Sequence, residues 1–217
     1  MKTLTLTTRE HLFWKTMTVT ALTAAAIFCL SSIASADFET GLRAFEEQRY
    51  ADAAAEWRVA AQAGNSRAQH NLGVLYDEGL GVEQNALEAA KWYQQAAENG
   101  VPGAAFNLGA MYDEGYGVEQ DFAEAAKWYR AAADAGVVDA QFNLGLLYAI
   151  GQGVPQDYEK AYYWVSLASA AKDVSFEHLT ACYQVLEELA PHVSSAGIKN
   201  AETAASTWWA NEYASLQ

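Results

Sequence analysis

From residue 65 onward the apolar residues of this chain recur at intervals of three and four, the spacing that stacks side chains on one face of a helix. Ala68, Leu72, Gly73 and Tyr76 form one such stripe, and the stretch Gly79 to Val82, of the form Gly-x-Gly-Val, follows it. Glycines tolerate positive φ, so this stretch is expected to end the helix and reverse the chain. A second stripe, Ala89, Tyr93 and Ala96, begins after Asn85, a residue type that caps helix N-termini, and Glu88 stands where a capping box needs a glutamate. The pattern therefore predicts two antiparallel helices, here named A and B.

The same unit returns after 36 residues and again after another 36. Leu72 falls on Leu108 and Leu144, Tyr76 on Tyr112 and Tyr148, Trp92 on Trp128 and Trp164, and Asn71 on Asn107 and Asn143. Gly64, Gly100 and Gly136 close the units, and Asp121 and Asp157 take the place of Asn85. Unit three has Lys160 in place of Glu88 and Glu124, which weakens its cap. So many coincidences in register make a repeat architecture, and few β-branched residues after position 40 leave no material for a sheet. The fold class is all-α, an α/α solenoid, with repeats at 65–100, 101–136 and 137–172. Stacked repeats need ends that cover their apolar faces. Residues 37–64, with Tyr50 and Trp57, read as a capping hairpin, and 173–217 as capping helices. In the latter, Phe176, Leu179, Tyr183 and Leu186 make one predicted stripe, Pro191 breaks it, and Ile198, Ala201, Ala205 and Trp208 make another.

The first 36 residues break from the pattern. Lys2, Arg9 and Lys15 precede an apolar stretch from Met17 to Ile33, which ends in Ala34-Ser35-Ala36, the layout of a secretory signal cleaved after Ala36. The alternative is a retained anchor, since the stretch reaches the lower end of the ~17–25 residues that span a bilayer. Bulky Phe28 ahead of Cys29 argues against a lipid-attachment site. Cleavage places the protein in the periplasm or outside the cell, with no stable membrane insertion. The full chain carries −14, and the mature one −16, because the leader holds three positive charges and one negative. An acidic excess of this size repels nucleic acid, whose binding needs clustered Lys and Arg. The mature chain keeps a single cysteine, Cys182, so it has no intramolecular disulfide, and this thiol in an apolar helical pattern reads as a small buried hydrophobe.

No constellation for chemistry emerges. His70, His178 and His192 lie far apart and lack the i, i+4 spacing of a helical zinc site. Asp77-Glu78 and Asp113-Glu114 lack the alternating oxygen ligands of a calcium loop and read as solvated helix ends. The glycines follow no strand, which excludes a dinucleotide-binding loop, and Ser166 and Ser194 sit in no nucleophile elbow. No catalytic residue, metal or cofactor is expected, and the chain is read as a non-enzyme.

The motifs Ala-Gln-x-x-Asn-Leu-Gly-x-x-Tyr, Gly-x-Gly-Val and Ala-x-x-Trp-Tyr-x-x-Ala-Ala resemble the Sel-one-like repeat, a relative of the tetratricopeptide repeat, from about Asn65 to Lys172. The departures are Ala105 in place of Gln69 and Gln141, and Val165 in place of Tyr93 and Tyr129. The resemblance implies that helix A lines a concave face that holds a protein or peptide, so that the chain acts as an adaptor or scaffold in a bacterial cell envelope. Counting from each Leu-Gly pair, that face presents Arg67, His70, Val74, Asp77 and Glu78, then Phe106, Ala110, Asp113 and Glu114, then Asp139, Phe142, Leu146 and Ile150. It is acidic at one end and apolar at the other, which suits a basic partner with an apolar anchor. Solubility alone could account for the acids. A cell-wall glycan binder is a second reading, against which most aromatics occupy core positions. A third is an enzyme like the cysteine-rich relatives associated with penicillin binding, whose paired cysteines this chain lacks.

Overall fold

The computed structural model describes residues 38–172 and 174–215, the last five of these by backbone only. The export segment, 1–36, and its cleavage site lie outside the described residues. Among the described residues ten α-helices follow one another: α1 (38–46), α2 (Tyr50–Gln62), α3 (Ser66–Glu78), α4 (Ala86–Glu98), α5 (Pro102–Glu114), α6 (Phe122–Asp134), α7 (Val138–Ile150), α8 (Tyr158–Ser169), α9 (Phe176–Leu189) and α10 (Ser195–Ser215). A short 3₁₀ turn, Ala190–His192, carries Pro191 between the last two. Helices pack in consecutive pairs, α3 on α4, α5 on α6 and α7 on α8, and each pair stacks on the next through helix B against the following helix A. The protein is an all-helical solenoid.

The caps explain where each helix begins. Asn85, Asp121 and Asp157 hold extended backbone, and their side-chain oxygens accept the N–H groups of Glu88, Glu124 and Lys160. The reciprocal half of the capping box is not used. The backbone N–H groups of Asn85, Asp121 and Asp157 donate instead to the carbonyls of Tyr76, Tyr112 and Tyr148 at the end of helix A. Glu88 and Glu124 are thereby released to pair with Lys91 and Lys127 one turn on, and Glu124 also accepts from the Trp128 indole. Helix A ends on Gly79, Gly115 and Gly151, each left-handed. Gln84, Gln120 and Gln156 close the loop by donating from their amides to the carbonyls of Asp77, Asp113 and Ala149 at 2.7–2.8 Å.

The core is built from alanines, leucines and rings in register. Ala68, Leu72 and Leu75 of α3, with their counterparts, are buried. Gly73 and Gly109 let helix B approach, since a Cβ there would meet the rings of Tyr93 and Tyr129 at 2.6–2.8 Å. Gly145 faces Val165 in the same way. Ala105, Gln69 and Gln141 are all buried, so the unit-two departure leaves the packing intact. The buried amides Gln69 and Gln141 donate to the carbonyls of Ala61 in the capping hairpin and of Ala133 in the preceding repeat.

The C-terminal stripes come out differently. On α10, Ala201 and Ala205 are buried, with Ile198 and Trp208 packed beside them, as their spacing predicts. On α9 the predicted stripe holds only at Leu186, which packs against the core: Phe176 is 84% exposed and Tyr183 61%, whereas Cys182 and Leu189 are buried. The stripe was drawn one helical position away from the face that α8 covers. Among the described residues no helix is long and apolar enough to cross a membrane.

Candidate functional site

Helices α3, α5 and α7 carry the thirteen residues expected on the concave face, and the structure sorts them into three groups. The first is a row of rings. His70, Phe106 and Phe142 occupy the same register and are each half-buried, braced from behind by a second ring: His70 by Tyr93 at 5.8 Å, Phe106 by Tyr129 at 5.9 Å, Phe142 by His178 at 5.5 Å. His70 also lies against Gly103 of α5, and burial pushes its imidazole below the ordinary value. The third brace comes from α9, because Val165 has no ring to offer.

The second group consists of acids with unequal roles. Glu78 and Glu114 are exposed. Asp77 and Asp113 are not simply solvated helix ends, because each accepts from a tyrosine hydroxyl of its own helix B, Tyr93 and Tyr129, at 3.3 Å. Burial first, then the aspartate charge, raises both phenols well above their ordinary value, while the amides of Asn107 and Asn143 act in the opposite sense. These asparagines thus tie helix A to helix B of the preceding repeat. Unit three loses the pair together, with Ala149 in the aspartate position and Val165 in the tyrosine position. A lone aspartate or phenol there would be left without its partner. Asp139 is engaged elsewhere: its carboxylate lies 3.4 Å from Nδ1 of His178.

The third group is small or apolar apart from Arg67. Val74 borders a cavity of about 120 Å³ with Leu42, Phe45, Trp57 and Asn71. Ala110 and Leu146 are half-buried, Ile150 is 58% exposed, and Arg67 lays its guanidinium over the Phe38 ring at 4.3 Å. The face therefore runs from α1, past the three rings, to α9, which covers part of its apolar end at Asp139 and Phe142.

Residues that sequence reasoning passed over hold this face in place. Arg58 donates to the Tyr76 hydroxyl at 2.9 Å, and Arg130 to that of Tyr148 one step of 72 residues on. The signal was available, since Arg58 and Arg130 share a register and Gln94 interrupts them. Cys182 is fully buried, and its thiol is pushed up to about 11 by burial and then by Asp139. His192 stacks on Tyr158 at 4.7 Å. Among the described residues no group of histidines, cysteines and acids could hold a metal ion. Trp57, Trp128 and Trp164 are buried, so they offer no open platform for a sugar.

An aspartate that serves the fold can be told from one that serves only the surface. Asp113→Ala should destabilise the protein by about 1–2 kcal/mol, because the buried Tyr129 hydroxyl loses its acceptor. Asp113→Asn, which keeps an oxygen, should cost less, and Glu114→Ala should stay within about 0.5 kcal/mol. Urea unfolding of the three variants checks this order; equal effects of Asp113→Ala and Glu114→Ala would remove the tyrosine bond as a structural element.

A fold of stacked helix pairs with one continuous helix A face defines a helical-repeat protein. Its repeats match the Sel1 repeat over residues 66–101, 102–137 and 138–173. The chain is a Sel1-repeat protein. A comparison with curated proteins gives no match. Among solved structures, a Sel1 repeat protein from Oxalobacter formigenes is 35% identical with a TM-score of 0.60, over 69% of this chain and 57% of that one. The protein c5321, a protective antigen of uropathogenic Escherichia coli strains with an SLR fold, is 28% identical with a TM-score of 0.61, over 73% of this chain and 38% of that one. The chain thus spans less than two thirds of either relative. Sel1 repeats commonly mediate protein interactions.

Proposed function

We propose that the protein is an exported, non-enzymatic adaptor of the bacterial cell envelope that holds a protein or peptide against the helix A face. The observation that carries this reading is the row His70, Phe106 and Phe142: one partly open ring per repeat, in register, each fixed by a second ring. Rings held in place lose little conformational freedom on binding, which favours them as anchors. Val74, Ala110 and Leu146 lie one helical turn on and extend the apolar track, while Glu78 and Glu114 supply its exposed acids. A partner with an apolar segment beside basic residues complements both. Asp77 and Asp113 contribute charge but are committed to tyrosines, so the steering acids are Glu78 and Glu114. Placement in the periplasm or outside the cell rests on the Ala34-Ser35-Ala36 site.

Photocrosslinking in intact cells tests the reading. A photoreactive side chain replacing Phe106 or Leu146 should give a discrete adduct with another polypeptide, and one replacing Lys91, on the exposed side of α4, should not. Replacing Glu78 and Glu114 by glutamine should slow capture at Phe106 and make it less sensitive to salt. Adducts from position 91 with none from 106 or 146 would move the binding surface off the helix A face.

A further inference from the structure

The helix A face begins one unit earlier than the repeats. Gly41 of α1 stands against Trp57 of α2 as Gly73 stands against Tyr93, since an added Cβ would meet the ring at 2.5 Å in the first case and 2.6 Å in the second. Trp57 and Tyr93 are 36 residues apart but Gly41 and Gly73 only 32, because the hairpin lacks the Gly-x-Gly loop. The shorter step puts Phe38, Leu42, Phe45 and Glu46 in the registers of His70, Val74, Asp77 and Glu78. Phe38 accordingly meets Trp57 at a ring distance of 6.3 Å, as His70 meets Tyr93 at 5.8 Å.

In this first unit the polar contact behind the face is missing. In the next two units Asp77 and Asp113 accept from Tyr93 and Tyr129, and the amides of Asn107 and Asn143 act on the same hydroxyls. Phe45, Trp57 and Asn71 hold those three positions at the hairpin. The two rings lie 5.5 Å apart and the indole N–H is taken by the Phe38 carbonyl, so the Asn71 amide meets no hydroxyl. Among the described residues it makes no hydrogen bond, and neither of its polar atoms is sealed from water. What remains is an open cavity of about 120 Å³, with buried Trp57 as its floor and half-buried Leu42, Phe45, Asn71 and Val74 around it.

Size and charge say what fills it. An apolar cavity of roughly 150 Å³ takes a benzene ring, so one of about 120 Å³ suits a branched aliphatic side chain and is tight for a phenylalanine. Glu46 and Glu78 lie one helical turn beyond Leu42 and Val74, and both are exposed. A turn advances about 5.4 Å, close to the roughly 6–7 Å between side chains on one side of an extended peptide, which are two residues apart. Resting on the adaptor reading above, we propose that this cavity is the anchor pocket of the helix A face: it takes a leucine or isoleucine side chain of an extended partner segment, with a lysine or arginine two residues away held by Glu46 and Glu78.

The probe is the capped heptapeptide Gly-Lys-Gly-Leu-Gly-Lys-Gly, whose lysines stand two residues from the leucine on either side and so serve both chain directions. Added to the mature protein and followed by NMR, it should shift the Leu42 and Val74 methyls and the Asn71 side-chain amide, saturably and at millimolar concentration or below. A twin with alanine in place of the leucine should bind about tenfold more weakly or worse. A twin with phenylalanine should also bind more weakly than the leucine peptide, since the ring overfills the cavity. Val74→Leu puts an extra methylene into the cavity, so it should melt at or above the wild-type temperature and weaken the leucine peptide about tenfold. Glu46→Gln with Glu78→Gln should bind severalfold more weakly at low salt and lose most of the salt dependence, with the fold unchanged because both side chains are exposed. Equal binding of either twin, unchanged binding by Val74→Leu or by the glutamine variant, or no saturable shift at millimolar peptide overturns the proposal. Self-association of the mature protein that Val74→Leu abolishes, without peptide binding, would put a second copy of this chain in the cavity and overturn it as well. Discrete crosslinks from positions 106 and 146 alongside any of these failures would leave the adaptor reading standing, whereas their loss would remove both.

Discussion

Trp57→Ala should destabilise the protein by about 3–5 kcal/mol, the usual cost of truncating a fully buried tryptophan. The ring is 2% exposed and holds α1 in three ways. It lies under Gly41, stands between Phe38 and Phe45 at ring distances of 6.3 and 5.5 Å, and donates its indole N–H to the Phe38 carbonyl at 3.1 Å. Arg67 over the Phe38 ring and Tyr50 against Phe45 add to this hold. A solenoid passes a local loss mainly to neighbouring repeats, so hydrogen exchange should rise first in α1, α2 and α3 and least in α8 and α10. Val59→Ala, an exposed position on the same helix, should leave the urea midpoint nearly unchanged. A uniform rise in exchange across all ten helices would show one cooperative unit in place of a chain of repeats.

The fold was legible because a repeat writes its instructions three times. A single Gly-x-Gly-Val could be any turn, whereas three of them, each preceded by Leu-Gly and Tyr and followed by a cap residue, leave one geometry that satisfies all. Where the pattern occurs once, the reading held on α10 and missed most of its residues on α9. On α9 the apolar residues Phe176, Leu179, Tyr183 and Leu186 fit one stripe, and Cys182, Val185 and Leu189 fit another. Periodicity does not choose between two adjacent faces, and the choice was made by α8, which covers the second.

For the candidate face, the sequence showed which residues share a helix side but not what each one touches. The register located His70, Phe106 and Phe142, but helical spacing carries no information on what stands behind each ring. Asp77 and Asp113 show the limit most clearly. An acid at a helix end looks solvated in one dimension, and its engagement with a tyrosine sixteen residues on becomes visible only when helix B folds back. A trace of the pair was nevertheless present in the sequence, since unit three drops the aspartate and the tyrosine together, as Ala149 and Val165. The cavity between α1, α2 and α3 left no such trace, because α1 stands 32 residues before its counterpart α3, off the 36-residue period.

Gly153→Ala should destabilise the protein more than Gly136→Ala, although both glycines have positive φ, +66° and +85°. The left-handed conformation alone costs an alanine about 1–2 kcal/mol, and that is the whole penalty at Gly136, where an added Cβ would meet nothing within 4 Å. At Gly153 the Cβ would collide with the backbone of Phe122 and Ala123, the first residues of α6 in the preceding repeat. Backbone cannot rotate aside as a side chain can, so the two repeats must shift, adding about 1–3 kcal/mol. Gly81 and Gly117 meet the start of α2 and α4 in the same way, which explains the second glycine of each Gly-x-Gly: it seats one repeat on the helix B of the repeat before it. Urea midpoints of the two variants measure the difference, and hydrogen exchange should place the extra loss at the start of α6 and in the loop that follows α7. Equal midpoints would mean that repeat stacking does not depend on this contact, and that the second glycine serves only the turn.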